Sequence, residues 1–314
     1  MITQTTRSLP HGIDLSCRTC GPADGRLLVF LHGFPEAAFV WDEMMRHFAQ
    51  PAHGGYRCVA PNLRGYERSS APAEVSAYRA KHLVQDVAAL ITEECNAFGQ
   101  PLSALVAHDW GGAVAWSVAA LHPRLLQRLV IINSPHPATF LRELKHSAQQ
   151  QAASAYMNFL ARPDAPALLA ADDFARLWPF FENMGATNGP HSWLTPAVRD
   201  QYRAVWAQGL AGPCHYYAAS PLRPATADDP GATAVDLPDA LGRVTVPTQV
   251  IWAQDDTALP PALTDGLAHW VPNLRLDRVD NATHWVVHEQ PLVIMALIDA
   301  FLNKNLSVNS KLQL

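Results

Sequence analysis

An α/β fold, with a parallel sheet covered by helices on both faces, is the class this sequence predicts. Three observations carry the prediction. Short, continuous apolar runs alternate with longer helical patterns up to about residue 136. The same alternation resumes near residue 249. Between the two blocks lies an aromatic stretch, helical in pattern and broken by prolines, with no comparable strand. Continuous apolar strands separated by amphipathic helices belong to sheets buried on both sides.

The elements follow in order. Residues 13–19 alternate like a strand, and apolar β-type runs occur at 27–31, 58–60, 102–107 and 129–132. Helical patterns fill 39–50, 79–98 and 111–121 between them. After the helical block, patterns of the same kind occur at 249–252, 263–270, 274–279 and 287–302. A helical insertion after one strand, with the sheet resuming afterwards, reads as a lid on an α/β core. We therefore expect a core of residues 1–135 and 225–314 and a helical lid, or cap, of residues 136–224. The stretch 221–247 carries five prolines and the run Asp228-Asp229-Pro230-Gly231, which is hinge or linker chemistry.

Composition narrows the function. The chain has 314 residues, a formal charge of −5, 49% apolar residues and only 16% charged ones. Disorder needs the opposite balance. No lysine and arginine cluster marks a nucleic-acid surface, so nucleic acid is not an expected partner. No apolar run approaches the length of a membrane span, and residues 1–10 carry no apolar signal segment, so neither a membrane nor secretion is expected. Five scattered cysteines fit a reducing, cytoplasmic setting. Cys17 and Cys20 form a C-x-x-C, but three residues apart on a strand they point to opposite faces and make no metal or redox pair. Proline is in excess, 25 residues, and 13 of them fall between Pro135 and Pro247. Such a lid has restricted backbone freedom.

One turn decides the chemistry. The run 102–107 ends in His108-Asp109-Trp110-Gly111-Gly112, where a helical pattern begins at once. A strand, a sharp turn with small neighbours and a helix form a nucleophile elbow, and the nucleophile position holds Asp109. An aspartate could simply cap a helix N-terminus. As a nucleophile it is already ionised at neutral pH and can open an electrophilic carbon to form an ester. Other features favour that role. The run 27–31 leads into His32-Gly33-Phe34-Pro35-Glu36, a turn suited to donate the Phe34 N–H to an oxyanion hole, with the Trp110 N–H as the second donor. The run 249–252 leads to Asp256, and 274–279 leads to His284. Nucleophile, acid and histidine thus follow the chain order of α/β-hydrolases.

These residues carry a resemblance to the epoxide hydrolase family, the aspartate-nucleophile group of α/β-hydrolases. It rests on HGFPE at 32–36, RGYERSS at 64–70, HDWGG at 108–112, WAQDD at 252–256 and THW at 283–285, and covers nearly the whole chain. Glu67 and Ala253 depart from the family's usual small residue and glycine, neither at a reacting group. The resemblance implies an α/β-hydrolase fold with a mostly parallel eight-stranded sheet flanked by helices and an inserted lid. It also implies a cis Phe34–Pro35 peptide and a catalytic triad of Asp109, Asp256 and His284.

Epoxide hydrolases, haloalkane dehalogenases and haloacetate dehalogenases share the nucleophile but differ at the leaving group. A halide needs N–H donors, whereas an epoxide oxygen stays attached and needs a proton. A tyrosine hydroxyl is protonated at neutral pH and can supply it. Tyr156, in YMNFL, and Tyr217, in CHYYAASPL, resemble the family's two lid tyrosines, with Tyr216 the neighbouring alternative to Tyr217. Phe34 and Trp110 stand where dehalogenases commonly place a halide-binding asparagine and a carboxylate-binding arginine; Trp110 could still serve one halide. The expected reaction is hydrolysis of an apolar epoxide with water, needing no metal or organic cofactor, in a monomer or homodimer. Dehalogenation is the alternative, and a non-catalytic ligand-binding homologue the remote one. Pro35, Tyr216, Trp178, Phe180 and Trp285 are the expected substrate-pocket residues.

Overall fold

The computed structural model describes residues 1–238 and 242–303. Its sheet has eight strands in the order β1-β2-β4-β3-β5-β6-β7-β8. They are β1 (Thr3–Ser8), β2 (Asp14–Cys20), β3 (Leu27–Leu31), β4 (Arg57–Pro61), β5 (Leu102–His108), β6 (Leu129–Ile132), β7 (Thr248–Ala253) and β8 (Leu274–Val279). The β1–β2 and β2–β4 pairs are antiparallel. Every other pair is parallel. This is the α/β-hydrolase fold with its mostly parallel sheet.

The expected strands all form, and β1 adds one. Its sequence, TQTTRS, is polar and pairs only with β2, so it lies at a solvated edge where apolar alternation is not required. The helical pattern at 39–50 resolves into a 3-10 turn, Ala38–Trp41, followed by α1 (Asp42–Phe48). The patterns at 79–98 and 111–121 become α2 (Ala80–Phe98) and α3 (Asp109–Leu121). That at 287–302 divides at Pro291, which starts the helix Pro291–Leu302 because proline is tolerated only in a helix's first turn.

Alternation along the buried strands feeds two cores. Leu27, Val29 and Leu31 of β3 join one core with α2 and α3. Leu28 and Phe30 join the other, with α1 and the helix Pro291–Leu302. Cys17 and Cys20 divide between the same two cores, on opposite faces of β2.

Between β6 and β7 the chain runs through α4 (Pro137–His146), α5 (Ala148–Ala153), α6 (Tyr156–Leu160), α7 (Ala165–Phe174), α8 (Trp178–Glu182), α9 (Pro196–Trp206) and α10 (Ala211–Ala219). These helices are tied down by polar tips of otherwise apolar side chains. The Trp206 indole donates to the Pro35 carbonyl at 2.7 Å, the Tyr216 hydroxyl to the Arg64 carbonyl at 2.9 Å, and the Trp285 indole to the Phe180 carbonyl at 3.0 Å. Where Tyr216 reaches Arg64, α10 meets the 64–70 loop through two glycines, Gly212 and Gly65. A Cβ on Gly212 would collide with the backbone of Gly65, so only glycine permits this approach. Residues 239–241, inside the proline-rich stretch expected as a hinge, lie outside the described residues. No helix among the described residues is long and apolar enough to cross a membrane.

Candidate active site

Parallel strands present their carboxyl ends along one edge of a sheet, and ligands of open α/β sheets collect there. Four such ends converge in this fold. Phe34 follows β3, Asp109 follows β5, Asp256 follows β7 and His284 follows β8.

Asp109 sits at the junction of β5 and α3 with a φ of 48°, a left-handed value that an aspartate rarely adopts. The turn is held from several sides. The Ser134 hydroxyl donates to the Asp109 carbonyl at 2.6 Å. The Phe34 N–H donates to Asp109 Oδ1 at 2.7 Å, and the Phe34–Pro35 peptide is cis. Gly33 lets the two turns approach, since any Cβ there would strike the Asp109 side chain. Gly111 and Gly112 do the same against the β3 backbone and Ser134.

Asp256 is fully buried but has its charge well matched. One oxygen accepts the Ala258 and Leu259 N–H groups at 2.9 and 2.8 Å. The other accepts the Asn133 amide at 2.7 Å and faces His284 Nδ1 at 2.8 Å. An ionised carboxylate only accepts, so Nδ1 carries a hydrogen and Nε2 is left as the acceptor of neutral His284. Nε2 lies 3.7 Å from Asp109 Oδ2. Burial alone would lower the His284 pKa, but the negative charges of Asp256, Asp109 and Glu36 outweigh it and hold the pKa up at about 9.

A cavity of about 340 Å³ opens beside Asp109 and His284. Tyr156, Tyr217, Phe34, Phe180, Trp285 and Met184 contribute to its wall. Burial raises the pKa of both phenols above the ordinary value near 10, with the Asp109 charge adding to it, so both stay protonated.

Three residues expected around the substrate are elsewhere. Tyr216 and Tyr217 are successive on α10 and project about 100° apart, so only one can face the cavity. Tyr217 does, while the Tyr216 hydroxyl bonds Arg64 and its ring packs on Tyr66 and Tyr78. Trp178 stands two positions from the cavity residue Phe180, hence on the far side of α8. Its ring packs on Trp206 and lies under Arg199 and Arg203. Pro35 instead spends its carbonyl on the Trp206 indole. Trp110 is placed beside Tyr217, its ring edge-on at 5.2 Å.

Sequence reasoning missed a buried network behind Asp109. Glu36 has no exposed surface. Its Oε1 accepts the Tyr202 hydroxyl at 2.8 Å and faces His288 Nε2 at 2.6 Å; its Oε2 faces His108 Nδ1 at 3.2 Å. His108 Nε2 in turn meets the His284 carbonyl at 2.9 Å. Burial alone would raise the Glu36 pKa, but His288 and His108 outweigh it and keep the carboxylate ionised. The one sequence signal was an acid at the end of an otherwise apolar turn. Asn133, which clamps Asp256 and accepts the Ala253 N–H at 3.0 Å, gave no signal.

Fold and site together define a class. A family model described as alpha/beta hydrolase fold matches residues 26–291, and the chain belongs to that family. It is 32% identical over 295 residues to the AB hydrolase superfamily protein YfhM of Bacillus subtilis strain 168, covering 93% of this chain and 95% of that one. It is 30% identical to mouse Epoxide hydrolase 4, over 88% of this chain and 73% of the relative. An inhibitor-bound Bacillus megaterium epoxide hydrolase superposes with a TM-score of 0.84 at 29% identity, covering 96% of this chain and all of that one. Within the α/β-hydrolases, the chain is a member of the epoxide hydrolase family.

Proposed function

We propose that this protein hydrolyses apolar organic epoxides to vicinal diols through an ester on Asp109. The observation that carries the reading is the composition of one cavity wall. An aspartate at a strained elbow, a histidine and two protonated phenols line the same space. A carbon–halogen substrate would give the phenols no proton to deliver.

In this reading Asp109 attacks one epoxide carbon and the ring C–O bond breaks. The released alkoxide takes a proton from Tyr156 or Tyr217, and the tyrosinate regains one from solvent. His284, held by Asp256, then takes a proton from water as the resulting hydroxide adds to the Asp109 carbonyl carbon. The Phe34 and Trp110 N–H groups form the oxyanion hole for that adduct; one such donor contributes about 2.7–4 kcal/mol. The ester C–O bond breaks, the diol oxygen takes the proton back from His284, and the Asp109 carboxyl releases its proton to solvent, balancing the one the tyrosinate took up and regenerating the carboxylate. No metal or organic cofactor enters the scheme. Residues 136–224 form the lid that carries both tyrosines, over a core of 1–135 and the described residues of 225–314; 239–241 and 304–314 lie outside the described residues.

The reaction class is checked by offering styrene oxide and a haloalkane to the purified enzyme. Diol release without halide release is expected; halide release alone would reverse the assignment. Tyr156→Phe and Tyr217→Phe should each lower kcat by about 10–100-fold, and the double variant should lose most turnover, since proton donation commonly contributes 10²–10⁴-fold. Full turnover in the double variant would remove the tyrosines from the mechanism.

The pH dependence has a definite sign. Ester breakdown needs neutral His284, so its single-turnover rate should rise with pH. Esterification neutralises Asp109 and removes one of the charges holding the imidazole up, so the plateau should come below the free enzyme's value of about 9. A rate that falls with rising pH would contradict this. For stability, a folded pKa raised from 6.5 to about 9 gives a contribution fully present below pH about 6.5 and lost as pH climbs through about 9.

A further inference from the structure

A second cluster of chemistry-bearing side chains lies far from the cavity. The last turn of α1 supplies His47, the 3-10 turn Pro51–His53 supplies His53, and the helix Pro291–Leu302 supplies Asp299. Starting after β3 and ending ahead of β4, α1 runs from the carboxyl edge of the sheet back to the amino edge. These residues therefore sit at the end of the fold opposite Asp109. They are the only His, Cys, Asp and Glu trio among the described residues whose ligand atoms all lie within 4.8 Å of one another.

The geometry points to a binding site for a zinc-like divalent cation, held by His47 Nε2, His53 Nδ1 and an Asp299 oxygen. Both nitrogens converge on one atom, Asp299 Oδ2, at 2.8 and 3.1 Å. The imidazole rings stack with centroids 3.6 Å apart. A carboxylate only accepts, so each nitrogen facing it carries a hydrogen, and binding a cation there would release both protons and turn the same nitrogens' lone pairs to the ion. A tetrahedral zinc with arms of about 2.0–2.1 Å sets its ligand atoms about 3.3–3.4 Å apart. The two nitrogen–oxygen separations need to open by only about 0.2–0.6 Å, with a tilt of the stacked rings, to admit it. The His53 side chain is 35% exposed, so an ion can enter and a water can take the fourth position. Two imidazoles with one carboxylate suit zinc over calcium or magnesium, which prefer all-oxygen shells. Bound there, the ion would join the helix Pro291–Leu302 to α1 and its adjoining turn before β4, 252 and 246 residues away in sequence, and stabilise the folded state.

Titrating zinc chloride into the full-length protein by calorimetry tests the assignment. One equivalent should bind, and His53→Ala and Asp299→Asn should each weaken binding at least tenfold. Zinc should also raise the melting temperature of the parent and much less that of His53→Ala, which sits on a part-exposed turn and has no role in the core. The absence of binding, or an affinity and thermal shift unchanged in both variants, would overturn the assignment.

Discussion

Replacing Asp109 by alanine should lower epoxide turnover by on the order of 10⁴-fold or more while leaving the fold intact. The size follows from the role: without the carboxylate there is no ester, and residues that act as a catalytic unit are lost together rather than in proportion. The fold survives because Asp109 makes its elbow with backbone contacts that alanine keeps, including the Ser134 hydroxyl on its carbonyl. The side chain's own structural bond is the one accepted from the Phe34 N–H. Alanine leaves that donor unpaired, at a cost of about 1–3 kcal/mol. Diol formation from styrene oxide, read beside the circular dichroism of the variant, checks both halves. Retention of a tenth of the parent rate would exclude Asp109 as nucleophile.

Glu36→Ala should be the most destabilising single change near the site. Glu36 is a fully buried charge with partners on three segments: Tyr202 on α9, His108 at the end of β5, and His288 in the short helix Val286–Glu289. Removing one member of a buried ionic group strands the others, typically at about 3–5 kcal/mol. Tyr202→Phe removes only the link to α9 and should cost about 1.5–3 kcal/mol. Because both act on one network, adding Tyr202→Phe to Glu36→Ala should cost much less than it does alone. Denaturant unfolding of the two single variants and the double variant measures the coupling. Strict additivity would mean that the carboxylate does not join the helical insertion to the core. The network also has a catalytic consequence. His108 meets the backbone carbonyl of His284, so slack in the network should move the imidazole and slow ester breakdown more than ester formation.

Much of this was legible in the chain because the deciding signals are local. Apolar runs of strand length and the glycines of HDWGG each act within a few residues. So does the stretch 27–36, where an apolar strand passes into a tight turn. The order of Asp109, Asp256 and His284 could be read from motifs at strand ends, and the structure brings all three to one place. What could not be read depends on which way a side chain turns, or on partners remote in sequence. Tyr216 and Tyr217 are indistinguishable in a helical pattern until the packing of α10 on the 64–70 loop sets its rotation. Trp178 and Phe180 part for the same reason. Glu36 finds Tyr202 and His288 at separations of 166 and 252 residues, where no periodicity connects them. The polar strand β1 escaped because nothing on its exposed edge requires an apolar pattern.

Covalent attack by Asp109 on an epoxide should leave a trapped ester in a His284→Gln variant, which mass spectrometry can read. Glutamine removes the base that breaks the ester and leaves Asp109 and the two tyrosines in place. Mixed with styrene oxide, the variant should gain the full mass of one substrate molecule, because ring opening adds the epoxide and expels nothing. Proteolysis should locate that mass on the peptide containing Asp109. An unmodified protein that still converts styrene oxide to diol, or an adduct on any other residue, would contradict the mechanism.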